Sequence, residues 1–251
     1  MRSVFFQRPL EYQIATTREE WNQGDSLSGT MRVRNSGAGF LPVQSAQILL
    51  VYALKKELKD GQANAWQMLE TLNFNLPELA AGAQHTAEWT LPLPSDCPIT
   101  DKSGTLFLLF GGTEALENGG CIDLQVRLHP LLQSFLQTFT TQFKFLEKHR
   151  KHVKGWTEAK LHPPDSQEYS SLDHLLCHLR VREEQLEVRH FFKVKVFSRE
   201  EDFVKIRRKT RELEQSLTPE DYLQPGGFPN RNCFRERIDE ALGTVRASVL
   251  F

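Results

Sequence analysis

The sequence predicts a mainly β protein: two antiparallel β-sandwich domains, a short helix between them and a helical C-terminal tail. Three observations carry this. Short runs of alternating apolar and polar residues recur from residue 10 to about 197, the period-two pattern of half-buried strands. Gly, Pro and Asn clusters punctuate those runs, as the turns of an antiparallel sandwich require. The texture changes at His129-Pro130 and again near Arg199, where spacings of three and four replace alternation.

Along the first half, Leu10 to Thr16 alternates in part, and Gly24-Asp25 provides a turn. Leu27, Gly29, Met31 and Val33 then fall on one face, with Ser28, Thr30, Arg32 and Arg34 on the other. Asn35 to Gly39 is a loop, and Val43 to Leu54 is a longer strand rich in Ile, Leu and Val. Trp66–Leu76, Thr86–Leu93, Thr105–Phe110 and Ile122–Leu128 complete the domain expected over residues 1–128. After Pro130, Leu131, Leu132, Phe135, Leu136 and Phe139 mark one helical face, and proline suits a first turn, where its missing N–H removes no bond. A second sandwich is expected over 129–198, from Phe143–Leu146, Trp156–Leu161, Leu172–Val181 and Gln185–Phe197, with Glu183-Glu184 as a hairpin tip. Residues 199–251 are expected to be a helical extension packed on that domain. In it Phe203, Ile206, Thr210, Leu213 and Leu217 form one stripe, Thr218 to Asp221 gives a helix start, and Phe234, Ile238, Leu242 and Val245 form a last amphipathic segment.

The bulk properties fit a folded globular protein. At 251 residues with 17 Phe and 4 Trp, the chain can bury a core without metal or disulfide staples. No apolar run approaches the roughly 18 residues that a spanning helix needs. Met1–Phe6 is too short for a secretory core, so the cytoplasm is the expected compartment. Cys97, Cys121, Cys177 and Cys233 show no paired spacing of the kind that disulfide frameworks or structural zinc sites display. Net charge is −1, divided as −4 over residues 1–128 and +3 over the rest. That asymmetry is too mild to call for nucleic acid.

Catalytic constellations find no anchor in the pattern. Ser28 and Ser103 adjoin glycines but lack the flanking pair of a nucleophile elbow. Gly111-Gly112 and Gly119-Gly120 lack the Lys-Ser/Thr of a phosphate-cradling loop. His174 and His178 fall on one face of a strand and Cys177 on the other, so a metal would need His149 or His152 from a neighbouring strand. Neither a cofactor nor a metal is expected. Two interaction features stand out. Lys148, Arg150, Lys151 and Lys154 form the core of a basic run over Lys144–Lys154, a candidate for phosphate or an anionic membrane face. Phe203, Ile206, Leu213 and Leu217 form a candidate partner helix, suited to self-association or to a partner's helix.

Several motifs in order resemble a known family. Trp21-Asn22-Gln23-Gly24-Asp25, running into Leu27 to Met31, looks like the first hairpin of arrestin-type domains. Leu91-Pro92-Leu93-Pro94, followed by Asp96-Cys97-Pro98-Ile99-Thr100, resembles the equivalent stretch of the bacterial sporulation-control proteins with an arrestin-like fold. The His129-Pro130-Leu131-Leu132 junction is similar to that family's interdomain hinge. Gln167-Glu168-Tyr169 and Leu172-Asp173-His174-Leu175 match two further signatures, with His174 standing where the family has an acid. The resemblance implies two arrestin-like sandwiches joined at His129-Pro130, and a non-catalytic regulatory or scaffolding role toward protein partners. An anion- or membrane-surface module working through the basic run is the alternative.

Overall fold

The computed structural model of the chain describes residues 1–42, 44–60, 65–200 and 203–246, without the side chains of 197–200 and 203–206. It divides into two compact units, Met1–Arg127 and Leu128–Phe251. Both are built mostly of antiparallel strands.

The N-terminal unit contains β1 (Arg2–Gln7), β2 (Leu10–Thr16), β3 (Glu20–Asn22), β4 (Ser26–Asn35), β5 (Gln44–Leu54), β6 (Gln67–Leu76), β7 (Gln84–Pro92), β8 (Gly104–Gly111) and β9 (Gly120–Arg127). Helical turns α1 (Lys55–Lys59) and α2 (Ala115–Asn118) punctuate it. One sheet runs β1-β2-β4-β7 and the other β3-β9-β8-β5-β6, in which β3 lies parallel to β9. Alternation sets which face each strand buries. Leu27, Met31 and Val33 of β4 pack with Ile48 and Leu50 of β5, and with Leu106, Leu108 and Phe110 of β8, in one core shared by both sheets. Gly29 belongs to the same inward row. A Cβ there would lie 2.6 Å from Trp89 of β7 and would collide with the Ala15 carbonyl oxygen, so only glycine lets the indole cross the strand. Asn35 ends β4 fully buried. Its amide donates to the carbonyls of Gly39 (2.7 Å) and Leu79 (3.0 Å), and its Oδ1 accepts from Gly37 N. These bonds satisfy loop groups that water cannot reach.

The C-terminal unit starts with α3 (Pro130–Thr141), where His129 Nδ1 accepts from Leu131 N at 3.2 Å and Pro130 occupies the first turn. Strands β10 (Leu146–Val153), β11 (Trp156–His162), β12 (Leu172–Arg182), β13 (Gln185–Glu200) and β14 (Phe203–Leu217) follow and form one sheet in sequence order. A 3-10 turn spans Gln167–Tyr169, and helices α4 (Pro219–Tyr222) and α5 (Arg231–Arg246) end the described chain. The second layer of this unit is helical. Phe135 and Phe139 of α3 lie near His190 of β13, and Phe135 meets Phe234 of α5 edge-on at 5.3 Å. Glu183-Glu184 forms the β12–β13 tip, with φ of 50° and 62°, the left-handed pair that a tight I′ turn demands.

The expected partner helix is overturned. Phe203–Leu217 is not a partner helix but the strand β14, paired with β13 from Glu200↔Phe203 to Leu186↔Leu217. The helical tail expected from residue 199 therefore begins only at Pro219. Leu213 and Leu217 stand four apart, a spacing that a helix stripe and one face of a strand satisfy equally. Leu217 is buried and Leu213 half-buried, while the side chains of Phe203 and Ile206 lie outside the described residues.

Candidate functional site

The basic run lies on β10, and its alternation splits it between two faces. Arg150 is paired with Ala159 on the buried side. There its guanidinium donates to both carboxylate oxygens of Glu147 (2.7 and 2.8 Å) and to Gln133 Oε1 of α3 (2.7 Å). Lys151 turns to the opposite face and lies 3.1 Å from Glu158. Lys148, at a bulge, and Lys154, in the β10–β11 turn at φ 49°, are exposed. The four cations thus do not form one patch. The residues expected to form a hinge separate by role: His129 caps α3 and Pro130 occupies its first turn, whereas Leu131 and Leu132 are buried.

Cross-strand register assembles something the sequence did not show. On the sheet face away from α3 and α5, one row runs across all five strands: Lys151, Glu158, His178, Arg189 and Glu214. Glu158 is its centre, 3.1 Å from Lys151, 2.9 Å from His178 and 4.0 Å from His149. Burial pushes its pKa up, but hydrogen bonds from Lys151 and His178 outweigh that and hold the carboxyl below its usual range. Beside this row Trp156 is nearly covered, with the guanidinium carbons of Arg180 and Arg189 at 4.1 and 4.5 Å from its ring. Each arginine also meets an acid: Arg180 with Glu187 at 2.6 Å and Arg189 with Glu214 at 3.1 Å. A shallow hollow of about 390 Å³ opens here, lined among others by Trp156, Glu187, Arg189 and Glu214. Stacked guanidiniums held by carboxylates make a rigid polar platform.

The four histidines singled out for metal chemistry do not meet at one point, although His149 and His178 both approach Glu158, at 4.0 and 2.9 Å. His174 and His178 share the outer face but bond to Asp173 and Glu158 respectively, each at 2.9 Å. His152 faces Thr157 on the other side. Among the described residues, no group of three His, Cys, Asp or Glu side chains is placed to hold a metal ion. The buried face carries one further polar group that alternation alone would have marked as core. His190 is fully buried, with Nε2 at 3.1 Å from Gln215 Oε1 and Nδ1 at 3.9 Å from Cys177 Sγ.

Comparison with known proteins adds the fold-level match. No protein-family model and no curated protein matches the sequence. Among solved structures, Spo0M, the sporulation control protein of Bacillus subtilis, aligns over 94% of this chain and 98% of its own length. The TM-score is 0.64 and the identity 13%. The fold is Spo0M-like. At that identity the likeness is one of fold alone. A β-glucosidase of Erythrobacter marinus (13% identity, 47% of this chain, 15% of that one, TM-score 0.32) has too little in common to bear on either fold or function. The same holds for a β-glucosidase of Listeria innocua (15%, 47%, 16%, TM-score 0.30). No helix of the described residues is long and apolar enough to cross a membrane.

Proposed function

We propose that this protein is a non-catalytic regulatory or scaffold protein of the cytoplasm, which binds protein partners by strand addition at β14. The observation that carries this reading is the place of β14 at the edge of the C-terminal sheet, a strand of 15 residues that among the described residues has β13 on one side only. An edge of that length offers a ladder of backbone donors and acceptors to an extended segment. Residues 207–210 are exposed, and the cations Arg208 and Lys209 there favour an acidic segment. The Spo0M-like fold over nearly the whole chain supports a regulatory role, since Spo0M is a sporulation control protein. Self-association is the same chemistry with a second β14 as the added strand. The alternative, anion binding through Lys144–Lys154, draws less support because Arg150 and Lys151 are engaged by Glu147 and Glu158.

A crosslinking pull-down from the native host tests the proposal when run beside an Arg208→Glu/Lys209→Glu variant. Hydrogen exchange on the captured complex then locates the contact. The expected result is a partner lost with the variant, whose binding slows exchange along β14. Capture that is indifferent to the variant and leaves β14 exchange unchanged would remove the proposal.

A further inference from the structure

The same outer face changes character at the end of the sheet away from Trp156. There a second row crosses the five strands as Leu146, His162, His174, Lys193 and Thr210. Leu146 faces His162, the pairing Leu161↔Leu175 brings His162 beside His174, His174 faces Lys193, and Lys193 faces Thr210. The two imidazoles stack with centroids 5.9 Å apart and planes within 16°. Lys160 lies one row inward, opposite His149, and Lys195 pairs with Arg208 one row outward. Lys148 stands exposed at the β10 bulge. Asp173 is the acid within this group and is bonded to His174 at 2.9 Å, while Glu212 sits on the inward row opposite Phe191.

Two titrating groups report the local field. Burial, followed by Lys160, Lys148 and His174, holds His162 below the usual histidine range. Asp173 is held below the usual carboxylate range by its hydrogen bond with His174, against burial, with help from Arg208 and Lys195. Cations of β10 and β11 thus act on His162 and cations of β13 and β14 on Asp173, along one end of the face, whereas the Glu158 end is internally paired.

The spacing decides what such a field can hold. Five strands about 4.8 Å apart spread the row over roughly 19 Å. A single phosphate needs donors converging on one point, and Lys193 Nζ already donates to Thr210 Oγ1 at 2.7 Å. A flat, spread array instead matches a surface bearing many negative charges. At the row's end Leu146 is 56% exposed, an apolar side chain beside the cations and in reach of a bilayer interface.

We propose that this end of the sheet docks on an anionic lipid surface, with Lys148, Lys160, Lys193, Lys195 and Arg208 over the headgroups and Leu146 at the interface. The docking does not depend on partner binding at the β14 edge, and its test leaves β14 intact. Full-length protein is sedimented with vesicles of phosphatidylcholine containing phosphatidylserine, and with vesicles of phosphatidylcholine alone. Binding is expected only to the former, weakening as salt rises. Lys160→Gln/Lys195→Gln should weaken it about thirty-fold, from the typical contribution of two cations at such a surface. Leu146→Ser should weaken it with no change in charge. Lys154→Gln, at the opposite end of β10–β11, should leave it intact. Equal loss in Lys154→Gln, or full binding by the double variant, overturns the proposal. Displacement by inorganic phosphate would assign the cations to a small anion instead, and equal binding to soluble polyglutamate would assign them to an acidic polypeptide. Either result also overturns it.

Discussion

His190 ties the stability of the C-terminal unit to pH, and the hydrogen bonds around it fix the direction. Gln215 Nε2 donates to the Arg237 carbonyl of α5 at 3.0 Å, so its Oε1 is the atom presented to His190. An amide oxygen only accepts. The proton of the neutral ring therefore sits on Nε2, and Nδ1 is left to accept from the Cys177 thiol. Burial raises the pKa of that thiol and keeps it protonated. The ring stacks on Phe192 at 5.7 Å and has Phe135 and Phe139 nearby. Burial pushes its pKa down from 6.5 to about 4, only partly offset by the bond to Gln215.

The sign follows from linkage. Between about pH 6.5 and 4 the unfolded chain binds a proton at this residue and the folded chain does not, so stability rises with pH across that window. The contribution is fully present above the unfolded value, is lost as pH falls through the window, and stays level below it. The fall from 6.5 to about 4 corresponds to about 3 kcal/mol, a large share of the roughly 5–15 kcal/mol typical of whole domains. The clean measurement is a difference. Urea unfolding of the wild type and of His190→Gln, at about pH 7.5 and about pH 4, cancels the carboxylates common to both chains. Gln keeps a polar group opposite Gln215 and cannot titrate. The stability advantage of the wild type should shrink by about 3 kcal/mol at the lower pH. An advantage of the same size at both pH values would mean that His190 is not neutral and buried as described.

Two further outcomes bear on the scaffold. Gly29→Ala should destabilise the N-terminal unit by about 3 kcal/mol, because the new methyl meets Trp89 and the Ala15 carbonyl; thermal unfolding by circular dichroism reads this, and a change near zero would mean that the indole has room to move. Replacing Glu183-Glu184 by Asn-Gly should stabilise the C-terminal unit by about 1 kcal/mol, since both positions have positive φ and currently carry a side chain that disfavours it. The Tyr222 hydroxyl would still donate to the carbonyl of residue 184, now at 2.6 Å, so a loss of stability in denaturant titration would contradict the turn geometry.

Features that depend on neighbours in the chain were legible from the sequence, and features that depend on neighbours in space were not. Alternation through Leu27 to Val33 found β4 because each of those residues meets the same core. Proline ahead of an apolar stripe found α3, and Phe234, Ile238, Leu242 and Val245 are all buried along α5. β14 escaped because its inward row is not apolar. Register places Leu217, Gln215, Leu213, Arg211 and Lys209 on that side. Gln215 and Arg211 donate there to carbonyls of α5, those of Arg237 and Thr244. A strand that packs on the polar groups of a helix loses its period-two signature, and the remaining leucines, four apart, read equally well as a helix stripe. The candidate sites escaped for a related reason. Lys148, Arg150 and Lys151 look like one patch when read along the chain, yet the pleat sends Arg150 to Glu147 and Gln133 beneath the sheet and Lys151 to Glu158 above it. Cations far apart in sequence, Lys160, Lys195 and Arg208, come together on one face instead. Spacing along one strand gives the side of the sheet on which a charge falls; only the register of strands β10 to β14 gives its company, and that company decides which charges are spent and which remain to meet a partner.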